Sequence, residues 1–144
     1  MSFSTRTMTA QDWIDLATKF GRAYFAPSEF KNPERMGYEF MLWLFEVRIE
    51  AGVPMVSTSG YRDPWYNKFI VKGAKNSAHT DLVCDASDFG SKGGYVLTNE
   101  YRFHIVRAAI KLGCVRIGIY KNGSLHLDRT EDRRPANRLW TVVK

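Results

Sequence analysis

The feature that most constrains the fold of this chain is a short turn in its last quarter. Lys121-Asn122-Gly123 separates two runs of alternating residues, Cys114 to Tyr120 and Leu125 to Asp128. Asn-Gly is a strong hairpin signal, because both residue types accept the positive φ that matches the twist of paired strands. The turn therefore predicts an antiparallel strand pair. Alternation in the second strand puts His126 and Asp128 on one face, with Leu125 and Leu127 on the other.

The rest of the chain reads as helices and single strands around that pair. Thr9 can cap a helix to about Phe20, with Trp13, Leu16, Ala17 and Phe20 recurring at three and four. Phe25 to Phe30 reads as an extended segment with two aromatic anchors. Asn32-Pro33-Glu34 has cap, first-turn proline and early acid in order, which predicts a helix from there to about Ala51, stopped by Gly52 and Pro54. Val53 to Gly60 reads as a strand with Arg62 just beyond its tip, and Asp63-Pro64 as the start of a short helix. A loop from Gly73 to Ser77 delivers His79. Cys84 to Phe89 reads as a strand with Cys84, Ala86 and Asp88 on one face and Asp85 on the other. Thr98 or Asn99 can cap a helix through Leu112, and Arg138 to Val143 is a last strand. This order predicts one α+β domain over residues 1–144, with helices packed on a mainly antiparallel sheet. Residues 1–24 form a helical arm and residues 25–144 the core.

Composition narrows the partners. With 44% hydrophobic residues the chain can bury an ordinary core without staples. The formal charge of +6 favours a polyanionic partner, whether nucleic acid, an anionic cell wall or a membrane surface. Most basic residues are scattered, and Arg129 with Arg133 and Arg134 is the one tight group, which argues against a nucleic-acid groove. Cys84 and Cys114 lack metal or redox spacing and read as buried free thiols. No stretch is apolar enough for a membrane span or a signal peptide, so the expected site of synthesis is the cytoplasm.

The chemistry concentrates in Ser77 to Phe89, where His79 precedes Asp81, Asp85 and Asp88. Imidazole and carboxylate are ligands that zinc prefers, and a catalytic zinc needs three protein ligands. Of the other histidines, His104 lies mid-helix by pattern. His126, on its short strand, is the better partner.

In chain order, Ser59-Gly60-Tyr61-Arg62 with Asn67, then Gly73 to His79, Ala86-Ser87-Asp88, Gly118-Ile119-Tyr120, His126-Leu127-Asp128 and Arg138-Leu139-Trp140 resemble a known family. It is that of the zinc D-Ala-D-Ala carboxypeptidases and L-alanyl-D-glutamate endopeptidases, which cut peptidoglycan stem peptides and include many bacteriophage endolysins. The likeness runs from about Phe25 to Trp140. It implies a Hedgehog-like α+β fold, zinc held by His79, Asp88 and His126, and Arg62 and Ser77 on the substrate. A guanidinium can fork onto a carboxylate of the stem peptide; Ser77 can equally shape the His79 loop. The resemblance also implies action on the cell wall, after release or as part of a virion, and a monomer is expected.

Two departures stand out. Asp88 follows His79 by nine residues where the family has seven, so Asp85 lies nearer the family spacing; strand phase favours Asp88. Gly123 stands where the family carries an acid three residues before the last histidine, so the resemblance names no general base; Asp128 is the candidate catalytic carboxylate if it faces the metal, and a positioning residue if it takes the role the family gives it. The leading expectation is a zinc peptidase. The alternatives are a zinc-holding module with weak or no catalysis, and a basic nucleic-acid binder.

Overall fold

The computed structural model describes residues 2–142. The sheet has five strands: β1 (Ser57–Ser59), β2 (Ala86–Phe89), β3 (Arg116–Tyr120), β4 (Leu125–Asp128) and β5 (Arg138–Val142). Their spatial order is β1-β2-β4-β3-β5. All pairs are antiparallel except β3 with β5. The helices are α1 (Ala10–Phe20), α2 (Tyr38–Ala51), α3 (Pro64–Tyr66) and α4 (Asn99–Lys111). This is the expected α+β class with a mostly antiparallel sheet. The last strand was expected to reach Val143, which lies outside the described residues.

The hairpin forms at the expected place. Gly123 N–H donates to Tyr120 O and Tyr120 N–H to Ser124 O, and Gly123 takes φ +88°. This is a three-residue loop whose last position needs the left-handed region, which is why glycine stands there.

Helix caps follow the sequence closely at α1 and α4. Thr9 and Asp12 form a reciprocal capping box on α1. Thr98 caps α4 through Tyr101 N–H. The helix expected from Pro33 is a correction. Pro33–Arg35 makes one 3-10 turn, Met36 and Gly37 are extended, and α2 begins only at Tyr38. Tertiary hydrogen bonds account for the break: Gly37 N–H donates to Cys84 O, Cys84 N–H to Arg35 O, Met8 N–H to Met36 O and Tyr38 N–H to Arg6 O. A helix through these residues would forfeit those links. A side chain at 37 would also collide with Ser4 Oγ and the Asp85 carboxylate. The strands expected over Val53–Gly60 and Cys84–Phe89 shorten to Ser57–Ser59 and Ala86–Phe89, and the segment expected to be extended at Phe25–Phe30 contains a 3-10 turn between its two buried aromatics.

Helix α2 is the centre of the core. Phe40, Met41, Trp43, Leu44, Phe45 and Val47 are all buried, so the helix is enclosed on more than one side. Phe45 meets Phe20, Tyr24 and Phe25, and Trp43 Nε1 donates to Leu112 O at the end of α4. Residues 2–24 belong to the same core: Ser4 Oγ accepts from Phe40 N–H, and Ser4 N–H donates to Asp85 Oδ2.

Strand alternation divides the sheet into two faces. Phe89, Ile117, Leu125 and Leu127 are buried on the helix side. Register then puts Ala86, Asp88, Gly118, His126, Asp128 and Trp140 together on the opposite face.

Candidate metal centre

Asp88 and His126 are direct partners in the β2–β4 register. His79 arrives from outside the sheet, on a 3-10 turn (Ala78–Thr80) capped by Ser77, whose Oγ accepts from His79 N–H. Arg62 N–H donates to His79 O at 2.7 Å, fastening this turn to the segment after β1. The result is a triangle of three atoms: His79 Nε2 lies 3.2 Å from Asp88 Oδ1 and 3.2 Å from His126 Nδ1, and His126 Nδ1 lies 3.0 Å from Asp88 Oδ1. All three residues are buried, and this group could hold a metal ion.

The outer nitrogens of both rings are engaged. His79 Nδ1 donates to Gly60 O at 2.7 Å, since a carbonyl can only accept. His126 Nε2 meets Asp128 Oδ2 at 2.7 Å. Each imidazole is thereby held in the tautomer that turns its other nitrogen into the triangle. Asp128 lies behind the His126 ring. Its Oδ1 accepts from Arg116 Nε, Thr130 N–H and Thr130 Oγ1, so both oxygens are occupied. Asp128, the expected catalytic carboxylate, is thus placed behind His126, where its contacts orient the ring.

The electrostatics follow from burial and neighbours. Burial pushes His79 down, only partly opposed by Asp88. Burial would also lower His126, but Asp128 and Asp88 together outweigh it and lift the ring to about 9. Burial acts to raise Asp88, yet the two histidines hold it well below the usual carboxylate range. Asp128 is brought down to about 2, with His126, Thr130 and Arg116 overcoming burial. A proton on His126 Nδ1 joins the ring to Asp88, and a metal ion held by the three residues would take the place of that proton.

The other sequence candidates fall in definite places. His104 lies on α4, 3.8 Å from Glu100 and outside the triangle. Asp85 points to Ser4 and Arg133 on the other side of its strand, and Asp81 pairs with Arg134. Arg129, Arg133 and Arg134 are engaged with Glu131, Asp81, Asp85 and Asp132. Their charge ties loops together and offers no free basic patch. Cys84 and Cys114 are buried free thiols.

Ser77 Oγ also takes a long bond, 3.4 Å, from Arg62. The Arg62 guanidinium lines a groove of about 340 Å³ together with Ser59, Gly60, Tyr61, Tyr66 and Lys31. Its Nε is buried without a partner.

Sequence reasoning did not assign roles to Tyr120, Gly118 or Trp140. Tyr120 Oη donates to Asp88 Oδ1 at 3.1 Å, and burial with the Asp88 charge raises its pKa, so the hydroxyl stays protonated. Trp140 packs on His126 with ring centroids 5.3 Å apart. The indole crosses over position 118, where a Cβ would lie 2.7 Å from its ring, so only glycine fits. The hairpin register contained the signal: Gly118 and Tyr120 share the phase that faces His126.

No family model matches this chain, and no match was found among the curated proteins searched. No described helix is long and apolar enough to cross a membrane.

Proposed function

We propose that this protein is a zinc metallopeptidase acting on peptidoglycan stem peptides. The observation that carries the reading is the triangle of His79 Nε2, Asp88 Oδ1 and His126 Nδ1, with sides of 3.0 to 3.2 Å. Tetrahedral zinc with bonds near 2.05 Å separates its ligand atoms by about 3.3 Å, so the donors fit with little movement. Three protein ligands also leave the fourth position open. The substrate class comes from the resemblance to D-Ala-D-Ala carboxypeptidases and L-alanyl-D-glutamate endopeptidases, in which His79, Asp88 and His126 take the ligand positions.

When bound, zinc supplies a Lewis acid for the scissile carbonyl and lowers the pKa of a water beside it. The chain's own residues do the rest. His79 and His126 are held in register by Gly60 O and Asp128. Arg62 lines the groove and binds a substrate carboxylate there. Tyr120 offers a protonated hydroxyl at the edge of the triangle. Trp140 shields the His126 side from water.

A second reading, a zinc-holding wall-binding or virion module with weak or no catalysis, is favoured by one observation. Gly123 has φ +88°, a backbone conformation that L side chains rarely adopt, and a side chain there would also have to displace the Arg102 guanidinium. Elemental analysis of the purified protein and product release from purified sacculi, with and without chelator, decide between them. Stoichiometric zinc with chelator-sensitive release of peptide termini supports the peptidase. Zinc without release supports the module, and absence of zinc overturns both.

A further inference from the structure

Between Arg62 and His79 the chain makes an excursion that the metal centre does not use. Helix α3 runs into a π-helical turn, Asn67–Val71, closed by Lys72 in the left-handed region at φ 55°. Asn67 is buried and holds the excursion shut: its side-chain amide donates to Ala74 O, and its carbonyl accepts from Gly73 N–H. Pinned at that base, the tip turns large apolar side chains outward. Trp65 is 60% exposed, Phe69 52%, Ile70 55% and Val71 40%. The Trp65 and Phe69 rings pack on each other with centroids 5.4 Å apart, which makes a continuous apolar ledge.

Solvated proteins expose single apolar side chains routinely, but a run of adjacent ones marks a contact surface. Charge identifies the partner. From Pro64 to Ala78 the chain carries Lys68, Lys72 and Lys75 and no acidic residue. The flanking Asp63 is engaged in capping α3 through Trp65 N–H and Tyr66 N–H. Cations sit on the aromatic rims: Lys68 Nζ lies 5.1 Å from the Phe69 ring centre, and Lys31 Nζ 4.2 Å from that of Tyr66. Aliphatic Ile70 and Val71 at the tip suit a hydrocarbon interior, with tryptophan and lysines at the depth of headgroups. Sugar C–H faces can stack on the Trp65 and Phe69 rings but leave the aliphatic Ile70 and Val71 in water.

We propose that the Trp65–Lys75 excursion is a peripheral docking surface for an anionic lipid bilayer, independent of the reaction at the metal centre. Tyr66 belongs to both the excursion and the Arg62 groove, so docking would hold the groove near the bilayer surface.

The test is cosedimentation of the whole protein with vesicles of phosphatidylcholine alone or mixed equally with phosphatidylglycerol, alongside purified sacculi. Binding to the mixed vesicles is expected, weakened by salt and absent from phosphatidylcholine alone. Phe69→Ser with Ile70→Ser should lower partition by about tenfold or more, since two apolar side chains leave the bilayer. Lys68→Gln with Lys72→Gln should abolish the preference for phosphatidylglycerol. Because these side chains are exposed, unchanged thermal unfolding should show that the variants remain folded. Trp65 emission should shift to the blue on binding, and the shift should vanish in Trp65→Phe. Equal partition of wild type and both double variants overturns the proposal. So does loss of sacculus binding in the variants while vesicle binding persists, which would assign the ledge to a wall polymer.

Discussion

Asp88 and His126 face each other across the β2–β4 ladder, with Oδ1 3.0 Å from Nδ1, while Asp85, three residues earlier, lies on the other side of the strand against Ser4 and Arg133. Two carboxylates on one short segment thus have opposite surroundings. Asp88→Asn is expected to remove stoichiometric metal, because an amide is a poorer ligand than a carboxylate. Asp85→Asn should leave metal content unchanged and alter only stability. Elemental analysis of the two proteins after identical purification checks this. Retained metal in Asp88→Asn together with loss in Asp85→Asn would move the site to the other face of β2.

The oxygen behind a ligand matters as well as the ligand. Asp128 holds His126 through Nε2 and is itself held by Arg116 and Thr130. Asp128→Asn is expected to weaken metal affinity by about 10- to 100-fold, the usual effect of losing the partner of a ligating histidine. Competition with a chromophoric chelator measures it. An unchanged affinity would show that ring orientation is secured by Trp140 and the sheet alone.

The part of this site that lies on strands was legible in advance, and the part held by loops was not. Period-two alternation placed Asp88 and Asp85 on opposite faces and His126 with Asp128 on one, because a paired strand leaves a side chain no third direction. The same period contained Tyr120 and Gly118, whose contacts with Asp88 and Trp140 required the register of a hairpin and a parallel neighbour. Asn32-Pro33-Glu34 has good helix-start chemistry, but one 3-10 turn satisfies it. The extended backbone at Met36 and Gly37 then serves Met8, Cys84 and the Asp85 side chain, partners far away in sequence that no local pattern announces. Arg133 and Arg134 looked like a basic cluster because their acids come from the His79–Asp88 segment, about fifty residues earlier.

Acid should reveal the N-terminal cap. Arg6, capping-box bonds with Thr9 and the Arg6 charge hold the Asp12 carboxyl well below the usual range, against the opposing effect of burial. A carboxylate lowered on folding stabilises above its unfolded pKa, near 3.9, and that contribution fades as pH falls toward the folded value. Asp12→Asn should therefore unfold at lower temperature than wild type at neutral pH, by an amount near 1 kcal/mol for a lost cap. The gap should narrow steadily below about pH 4, where the unfolded chain takes up a proton that the folded carboxyl still refuses. Thermal unfolding over pH 3 to 7 measures both curves, and a gap that widens in acid would contradict the assignment.

The His79 turn has a clamp that touches no ligand. Arg134 is buried and all its donors converge on one loop: Nε on Asn76 O, one terminal nitrogen on Asn76 Oδ1, Ser77 O and Asp81 Oδ1, the other on Asp81 Oδ2. Five contacts from a planar fork hold the residues on both sides of His79, so the guanidinium sets where Nε2 stands relative to Asp88 and His126. Arg134→Ala takes the donor from Asn76 O and leaves Asp81 to Arg133 alone, which should cost about 2 kcal/mol, a result that any structural arginine would give. Arg134→Lys is the sharper test, since it keeps the charge near Asp81 but cannot serve carboxylate and carbonyls together. Chelator competition should then show weaker metal binding, and hydrogen exchange should speed up at His79 and Thr80 N–H while α2 and α4 keep their protection. Were the lysine variant to exchange faster at those amides yet bind metal as tightly as wild type, the triangle would be held by Gly60 and Arg62 alone, and Arg134 would serve only the loop.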